Sequence, residues 1–446
     1  MMNPNLYLIL AIFAAVILAI AFNLVDMAVA ALLGVSALFI FGLVGGQETV
    51  TALQTGGGAL SLLFGGMVVA RTLAVTGLFE RIGAVYLRGT KGSGKRFILL
   101  LIALVAPVCA VLPNATTVIL LAPIIVRVAQ ALEINIVGPM VLTAIVSNTS
   151  GLLTLVGDPA TFLVGSSIGM TFNQYLRTAS LGGLLTLLVL IPLIPRLMPD
   201  MWRHQRPLPA QEPAKPLERP GFALLALAVL VGMVVLFVLG DALPRPIIPP
   251  AVAIIGATLA LLVIYGLKIE PVDNVLHDID WKTLIFLGCM FVMVEAVTKS
   301  GLLQTFSLLL SEWFGRQLRL VALALIGGVS LLSSCLANVP VVGASLSMVK
   351  GYLVAVQVVP ETALETQFTA WPPATIPVFV AMMFGATLGG NATLIGAAAN
   401  VVAAGICARQ GQPVSFVTFL RYGLPLTVCQ LALGALYVLV LGYLLR

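Results

Sequence analysis

Two stretches of this chain interrupt long apolar runs in the same way. The first reads SNTSGLLTLVGDP at residues 147–159, and the second reads GGNATLIGAAAN at residues 389–400. Aligning Thr154 with Thr393 also aligns a glycine three residues before and another three residues after the threonine. Glycine and small polar residues within an apolar run predict a helix that breaks inside the bilayer, where irregular backbone is tolerated only if it is buried in protein or lines a cavity. Paired breaks of this kind point to the binding site of a transporter.

The composition predicts a membrane protein. Of the 446 residues, 60% are hydrophobic and only 9% are charged, and apolar runs of helix length recur from end to end. Soluble domains do not have this composition, so we predict a polytopic helical membrane protein. The net charge of +6 gathers in a few loops that lack interleaved aromatic residues, which argues against a nucleic-acid surface. The five cysteines show no CxxC spacing and both histidines lie in predicted loops, so neither a disulfide framework nor a metal site is predicted.

The two halves of the sequence match at a nearly constant offset. Adding 224 carries Asn114 onto Asn338, and each asparagine interrupts an apolar region. The limbs on either side of Asn114, residues 98–112 and 118–126, are shorter than the ~20 residues that a span needs. In each half we predict a re-entrant hairpin with the asparagine at its tip; the alternative is one kinked span.

The repeat predicts the fold class and the domain organisation. Residues 1–197 form the first repeat, residues 198–220 a cytoplasmic linker and residues 221–446 the second repeat. An odd number of crossings inverts the second repeat, as in secondary transporters. We therefore predict an all-α polytopic membrane protein with two inverted repeats of about five transmembrane helices, each with one re-entrant hairpin and one broken helix. The Pro-, Arg- and Gln-rich linker is expected to be exposed and poorly ordered, and the glycine-rich stretch 48–58 is expected to be a polar loop.

The distribution of basic residues orients this fold. Residues 76–96 and the linker are the two densest basic segments, and the inverted arrangement places both on the same side. The positive-inside rule assigns that side to the cytoplasm. We therefore expect both termini outside and a multi-pass integral protein of the plasma (inner) membrane.

Polar side chains at the breaks and hairpin tips are the candidates for solute or ion binding. A broken helix presents unpaired backbone N–H groups at one half-helix and unpaired C=O groups at the other. The residues predicted to contact a solute or ion beside them are Asn114, Thr116, Thr117, Ser147, Asn148, Thr149, Thr154, Asp158, Asn338, Gly390, Asn391, Thr393 and Asn400. The alternative is that these small residues only allow helices to pack closely.

Asp158 is the only carboxylate in either motif, and its counterpart in the second motif is Ala397. An aspartate followed by a proline is a common helix start, with the aspartate at the N-cap. We therefore expect Asp158 to cap a half-helix. The alternative is that it takes up and releases a coupling proton.

Two charged residues, Arg71 and Glu295, fall within predicted spans and match at the offset of 224. An unpaired charge at mid-bilayer costs about 3 kcal/mol on insertion scales, so both side chains should face protein. We predict a buried ion pair between the repeats; a role in coupling or substrate binding is the alternative.

The motif at 147–159 and the second motif, extended as GGNATLIGAAANVV over 389–402, resemble the paired motifs of the ion transporter superfamily. The resemblance is closest to the ArsB/NhaD-type arsenite/antimonite permeases and sodium/proton antiporters, and more distant to the divalent-anion/sodium symporters. It implies a homodimer, scaffold and transport subdomains drawn from both repeats, and a cytoplasmic ATPase subunit as a partner. The symporter relatives imply elevator-like movement against the scaffold. The resemblance also implies substrate or ion contacts at Asn114, Thr116, Asn148, Thr149, Asn338, Asn391, Thr393 and Asn400.

The sequence departs from the superfamily pattern at several positions. The first break has Leu-Leu at 152–153 where Thr-Ala is usual, and Ala-Thr at 160–161 where Pro-Asn is usual. The hairpin tips read Pro-Asn-Ala at 113–115 and Ala-Asn-Val at 337–339, where the symporters carry Ser-Asn-Thr. The tips argue against a sodium-coupled dicarboxylate carrier.

The residues and the family resemblance together predict a secondary transporter that exports a small inorganic oxyacid in exchange for protons, and the resemblance implies arsenite or antimonite as that oxyacid. Amides and hydroxyls suit a neutral trihydroxide, and the motifs contain no Arg or Lys. The alternatives are a sodium/proton antiporter, an organic-anion (dicarboxylate-like) carrier and a gated channel. We expect no enzymatic activity and no cofactor, with a proton as the coupling ion and Na+ as the alternative. The expected partners are the solute and the lipid bilayer, not nucleic acid.

Overall fold

The computed structural model describes residues 5–21, 24–207, 217, 219–365 and 368–445. Within those ranges the chain forms α-helices and short 3-10 turns and no β-sheet. Eight helices of the described chain are long and apolar enough to cross a membrane. The predicted fold class, an all-α polytopic membrane protein built from two inverted repeats, is confirmed.

The first repeat and the start of the linker contain twelve α-helices in the described residues. They are α1 (Leu6–Ala21), α2 (Met27–Ile40), α3 (Gly46–Val75), α4 (Leu78–Thr90), α5 (Gly94–Cys109), α6 (Asn114–Ala131), α7 (Val137–Ser150), α8 (Pro159–Ser167), α9 (Phe172–Thr178), α10 (Ser180–Leu188), α11 (Leu190–Leu197) and α12 (Pro199–Arg203). The hairpin is α5–α6, the broken helix is α7–α8, and α10 and α11 together form one span.

The second repeat contains ten α-helices in its described part. They are α13 (Pro220–Leu239), α14 (Pro249–Gly266), α15 (Val272–His277), α16 (Trp281–Lys299), α17 (Leu302–Phe314), α18 (Leu318–Cys335), α19 (Asn338–Ala355), α20 (Ile376–Gly389), α21 (Ala398–Arg409) and α22 (Phe416–Leu444). Here the hairpin is α18–α19 and the broken helix is α20–α21.

Local sequence signals set several helix starts. Asp26 caps α2 by accepting a hydrogen bond from Ala28 N, and Thr171 forms a capping box at α9. Gly77 and Gly301 precede α4 and α17 with φ angles of 72° and 83°. Such left-handed backbone favours glycine, so the matched glycines fix the same turn in both repeats.

Both hairpins return to the side from which they start. Arg206 donates from its backbone N to the carbonyl oxygen of Gly92, before α5, at 2.9 Å, and its guanidinium pairs with Glu133, after α6. In the second hairpin Arg316, before α18, donates from Nε to the carbonyl oxygen of Val356, after α19, at 2.8 Å. One arginine joins the two ends of each hairpin, so the prediction of re-entrant hairpins is confirmed and the kinked span is wrong.

The equivalent helices α3 and α16 lie antiparallel against each other. Glu48, in the first turn of α3, pairs with Lys299 at the end of α16. Phe64, further along α3, packs against Trp281 at the start of α16, with ring centroids 6.1 Å apart. This contact pattern is the direct signature of the inversion between the repeats.

The predicted ion pair between Arg71 and Glu295 is wrong. Arg71 lies near the end of α3, where its Nε donates to Asp278 Oδ2 at 2.6 Å and its Nη1 lies 3.2 Å from Glu270 Oε1. Glu295 is half-buried near the end of α16. Inverted repeats place equivalent residues at opposite depths, so the antiparallel helices keep the two charges roughly 30 Å apart at 1.5 Å of rise per residue.

Residues 48–58 form a helix and not the predicted loop. They belong to α3, in which the hydroxyls of Thr51 and Thr55 donate to backbone carbonyls one turn earlier. A Cβ on Gly56 would stand 2.2 Å from the ring of Phe291. A Cβ on Gly58 would lie 2.8 Å from the ring of Phe162. Gly56 and Gly58 therefore allow close helix packing and do not mark a turn.

The start of the linker is packed against the first repeat, although the sequence predicted an exposed segment. Met198 and Met201 are buried. His204 Nε2 lies 2.7 Å from the carbonyl oxygen of the residue that follows α6. The apolar side chains of α12 explain the difference. Residues 208–216 and 218 of the predicted linker lie outside the described residues.

The breaks and hairpins of both repeats pack against one another. α20 contacts α18 and α22, and α7 contacts α5 and α6. Across the repeats, α8 contacts α19 and α21 contacts α6. The second half-helix of each break therefore lies against the hairpin of the other repeat. This packing between the repeats forms the site.

Candidate functional site

Matched glycines allow the loop between the half-helices to close. A Cβ on Gly157 would lie 2.9 Å from the carbonyl oxygen of Gly151. A Cβ on Gly396 would lie 2.7 Å from the carbonyl oxygen of Gly390. Side chains cannot approach so closely, so the aligned glycines are required by the geometry of the breaks.

The aligned threonines of the two breaks attach each loop to the hairpin of its own repeat. Thr154 Oγ1 donates to the carbonyl oxygen of Ala110, near the tip of the first hairpin. Thr393 Oγ1 donates to the carbonyl oxygen of Ser334, at the equivalent place in the second hairpin. In this structure both hydroxyls therefore position the loops, while their predicted contact with a solute or ion stays a prediction.

The two hairpin tips converge on the first break. Ser147 Oγ donates to the carbonyl oxygen of Asn114 at 3.0 Å, and a Cβ on Gly151 would lie 3.4 Å from Asn114 Nδ2 and 2.9 Å from Asp158 Cβ. Asn338 Nδ2, from the other hairpin, donates to Asp158 Oδ2 at 2.9 Å. The structure thus brings the two tips to one place, as the repeat predicted.

The tip of the first hairpin carries an acceptor without a partner. Asn114 Oδ1 is buried, and no described residue donates a hydrogen bond to it. Thr116 is half-buried and Thr117 is buried in the same first turn of α6. A buried carbonyl oxygen without a donor is unfavourable, which makes Asn114 a candidate contact for a ligand hydroxyl or water.

Asp158 is the N-cap of α8, as predicted. It is 1% exposed and accepts a hydrogen bond from Ala160 N at 3.1 Å through Oδ1. Its other oxygen, Oδ2, accepts from Asn338 Nδ2 at 2.9 Å and from Thr387 Oγ1 at 3.0 Å. The carboxylate therefore also joins α8 to the hairpin and the broken helix of the second repeat, which the sequence did not predict.

A network of buried amides joins the two breaks. Asn148 Nδ2 donates to Asn391 Oδ1 and to Asn400 Oδ1, both at 3.0 Å. Asn391 Nδ2 donates to Thr149 Oγ1 at 3.0 Å and to Gln430 Oε1 at 3.1 Å. Gln430 Nε2 in turn donates to Thr149 Oγ1 at 2.9 Å. All five side chains are at least 97% buried.

The remaining donors of this network bond to backbone carbonyls. Asn400 Nδ2 donates to Gly390 O and to Thr393 O, both at 2.8 Å. Gln430 Nε2 donates to Thr186 O at 3.0 Å. The amide N–H donors of this network are therefore satisfied within the protein, and in this structure the network fixes the register of the two broken helices.

Sequence reasoning missed Thr387 and Gln430. Adding 239 carries Asn148 onto Thr387, so extending the aligned motif toward the N-terminus would have found it. Gln430 lies within the apolar run of α22 and maps onto Thr186 of the first repeat by an offset of 244, which also relates Phe172 to Phe416. A polar amide within a transmembrane segment is itself a signal of function.

The two half-helix starts differ in charge and exposure. Asp158 caps α8, whereas Ala397 at the N-cap of α21 provides no side-chain acceptor. Pro159 is half-buried, whereas its counterpart Ala398 is exposed. No cluster of three or more His, Cys, Asp or Glu side chains in the described chain could hold a metal ion. The start of α21 therefore lacks a side-chain cap, and its first helical residue is more exposed than that of α8.

Comparisons with known proteins agree with this architecture. A family model described as a citrate transporter matches residues 9–371. A protein of Synechocystis named as an uncharacterized transporter is 40% identical over 430 residues, which covers 96% of each chain. A protein of Mycobacterium tuberculosis named in the same way is 31% identical over 431 residues, again covering 96% of each chain.

More distant similarities extend to animals and to a solved structure. The human P protein is 27% identical over 515 aligned residues, which cover 96% of this chain and 59% of the P protein. The structure of the YdaH transporter of Alcanivorax borkumensis superimposes with a TM-score of 0.57 at 13% identity, covering 88% of this chain and 87% of that one. At this identity the structural similarity establishes a shared fold.

Proposed function

We propose a substrate class from one premise: this chain belongs to the citrate transporter family. It is a multi-pass integral membrane transporter. We propose that it is a secondary transporter of small carboxylates that resemble citrate, and that it releases them chemically unchanged. The binding site would lie between the two hairpin tips and the starts of α8 and α21.

The difference between the two half-helix starts carries this proposal. Asp158 supplies a carboxylate to the start of α8, and Ala397 leaves the start of α21 without one. A helix N-terminus favours a carboxylate through its unpaired N–H groups and its partial positive charge. A carboxylate of the substrate would accept hydrogen bonds from the N–H groups at the start of α21, as the Asp158 carboxylate does at the start of α8.

The hairpin that packs on α21 supplies a second polar contact. α21 contacts α6, whose first residue, Asn114, has a buried carboxamide oxygen that receives no hydrogen bond from the described residues. A hydroxyl group donates to such an oxygen. A hydroxycarboxylate such as citrate offers both a carboxylate for α21 and a hydroxyl for Asn114.

The charge of the site favours transport together with a cation. Residues 110–118, 147–161, 334–340 and 387–400 contain Asp158 as their only charged side chain. A polycarboxylate in a poorly solvated site needs compensating positive charge. We therefore propose that protons enter with the substrate, with Na+ as the alternative coupling ion.

Arsenite or antimonite is the second candidate. The observation that favours it is the same absence of Arg, Lys and His from the segments that form the breaks and tips. A neutral trihydroxide would bind to amides and hydroxyls without charge compensation. A carboxylate explains the uncapped start of α21 better, because a neutral solute gains less from a helix dipole.

The packing of the helices supports a division into scaffold and transport subdomains. α3 packs against α14 and α16, while the breaks and hairpins pack among themselves. We propose that the second group moves against the first as an elevator within a homodimer. A cytoplasmic ATPase subunit is not needed for this mechanism.

Flux into proteoliposomes tests the proposal. Uptake of labelled citrate, succinate, arsenite and Na+ would be compared under an imposed pH gradient and under an imposed Na+ gradient. We expect saturable citrate uptake that depends on the pH gradient. Arsenite flux without carboxylate flux would favour the second candidate, and flux that does not saturate would indicate a channel.

A further inference from the structure

A cavity of about 460 Å³ lies at the end of the second repeat that is remote from the hairpin tip. It opens between the start of α18, the start of α20 and the end of α22. Arg316 and Arg319 lie at its rim, and Leu320, Val378 and Val438 contribute to an apolar wall. The cavity is therefore amphipathic, with cations at one end and hydrocarbon along the side.

Arg319 is the unsatisfied charge of this cavity. Arg316 uses its Nε for the carbonyl oxygen of Val356. Arg319 is exposed and forms no hydrogen bond or ion pair with the described residues. It lies in the first turn of α18, whose N-cap, Gln317, makes no side-chain capping bond. The partial positive charge of the helix start adds to that of the guanidinium, so the rim attracts anions.

The equivalent groove of the first repeat is filled by the chain itself. Adding 224 carries Lys95 onto Arg319. Lys95 Nζ lies 5.6 Å from the ring centroid of Trp202. A Cβ on Gly138 would lie 3.5 Å from Met201 Sδ. α12 thus covers the cation and the apolar wall of the first groove, and no described residue does so in the second.

Aromatic side chains place the cavity at the edge of the bilayer. Trp313, just before the rim, is 69% exposed, and Tyr443, near the end of α22, is 68% exposed. Exposed Trp and Tyr at helix ends are typical of the membrane–water interface. The cavity therefore opens where lipid headgroups and the first acyl carbons meet.

We propose that this cavity binds an anionic phospholipid. The phosphate group would lie against Arg319 and Arg316, and an acyl chain would follow the apolar wall. Basic pockets between transmembrane helices bind anionic headgroups in this way. The apolar wall selects a lipid over free phosphate, because inorganic phosphate would leave it uncovered. The site is separate from the proposed carboxylate site and does not depend on the solute.

Lipid retention by the purified full chain tests the proposal. The delipidated protein in detergent would receive phosphatidylglycerol, phosphatidylcholine or sodium phosphate. Bound lipid would be measured by native mass spectrometry and stabilisation by the thermal unfolding midpoint.

Two variants alter the cavity, and two others serve as controls. Arg319→Gln removes the charge. Gly442→Phe fills the cavity, since a Cβ there has only ordinary contacts, at 3.7 Å from Pro377. Arg245→Gln, an exposed loop arginine, and Gly327→Phe, with no atom within 4 Å of its Cβ, are the matched controls.

We expect phosphatidylglycerol to be retained over phosphatidylcholine and to raise the unfolding midpoint. Arg319→Gln should weaken retention about fivefold, the effect of one basic residue near an anionic lipid. Gly442→Phe should abolish it, and both controls should behave as the unmodified protein. Equal retention of the two lipids, equal stabilisation by sodium phosphate, or unchanged retention in both cavity variants would overturn the proposal. Loss of a dimer in Arg319→Gln with unchanged lipid retention would also overturn the proposal. It would mean that a second copy of the chain, and not a lipid, fills the cavity.

Discussion

Asn338 donates a hydrogen bond of 2.9 Å from Nδ2 to Oδ2 of Asp158. This bond joins the tip of the second hairpin to the half-helix start of the first repeat. The same oxygen also accepts from Thr387 Oγ1. The carboxylate that caps α8 therefore also binds α19 and α20, and it holds three elements of the site together. Substitutions here should therefore affect both stability and transport.

Asp158→Asn is expected to fold with reduced stability and to keep transport driven by a pH gradient. The amide oxygen of the variant can still accept from Ala160 N. Its amide nitrogen, however, would face the donors of Asn338 and Thr387, which bond to Asp158 Oδ2 in the unmodified protein. The loss should be about 1–3 kcal/mol, the cost of an unsatisfied buried group. Asp158→Ala, which removes the cap as well, should be less stable again. The thermal unfolding midpoint measures stability, and uptake under a pH gradient compared with substrate counterflow measures coupling. A folded Asp158→Asn variant that only exchanges substrate without coupling would identify Asp158 as the proton carrier.

Ala397→Asp is expected to abolish carboxylate uptake while the protein stays folded. The backbone at Ala397, with φ −147° and ψ 147°, resembles that of Asp158, with φ −136° and ψ 130°, so an aspartate can cap α21. Its carboxylate would occupy the terminus that we assign to the substrate. Ala397→Asn is the matched control, because it adds a neutral cap without the charge and should retain more uptake. Equal citrate uptake in the unmodified protein and Ala397→Asp would remove the basis of the proposed carboxylate site.

The amide network should give non-additive losses of stability. Asn391→Ala and Gln430→Ala each leave a buried amide or hydroxyl without its partner, at a cost of about 1–3 kcal/mol. Because the two side chains bond to each other and share Thr149 Oγ1, the double variant should lose less than the sum. Gln410→Ala, which removes an amide from an exposed pair, should be nearly neutral. Additive losses in the unfolding midpoints would show that the network is not a unit.

The Arg71–Asp278 pair should contribute a small stability that depends on pH. The hydrogen bond from the Arg71 guanidinium holds the pKa of the Asp278 carboxyl below its usual value. A lowered folded-state pKa means that this stability is present above the unfolded-state value, about 3.9, and is lost as the pH falls through the folded-state value. The Asp278 side chain is 46% exposed, so the contribution should stay below about 1 kcal/mol.

Unfolding midpoints between pH 7 and pH 3 measure this effect. The unmodified protein should lose slightly more stability than Asp278→Asn as the pH is lowered. In double-variant cycles Arg71 should couple to Asp278 and not to Glu295. Coupling between Arg71 and Glu295 would contradict the antiparallel placement of α3 and α16.

Much of the fold could be predicted because it depends on local and repeated features. The match of Asn114 to Asn338 predicted both hairpins, and the aligned glycines and threonines predicted both breaks. Asp158 followed by proline predicted the cap of α8. The stretch 48–58 is helical, although its sequence predicts a loop because glycine and threonine are typical of loops in water. In a membrane helix they allow close packing and form hydrogen bonds within the helix.

The sequence by itself determined the membrane class, the inverted repeat, and the two hairpin tips and two breaks that meet at its centre. Apolar length, residue spacing and the offset between halves are properties of the chain that do not depend on what packs against it. Only the tertiary structure decided the partners. It paired Arg71 with Glu270 and Asp278 because inversion sends equivalent residues to opposite depths. It also satisfied the amide donors of Asn148, Asn391 and Asn400 within the protein and left the start of α21 uncapped. Hydrogen-bond partners depend on distances of a few ångströms between distant segments, and these are fixed only when the helices pack.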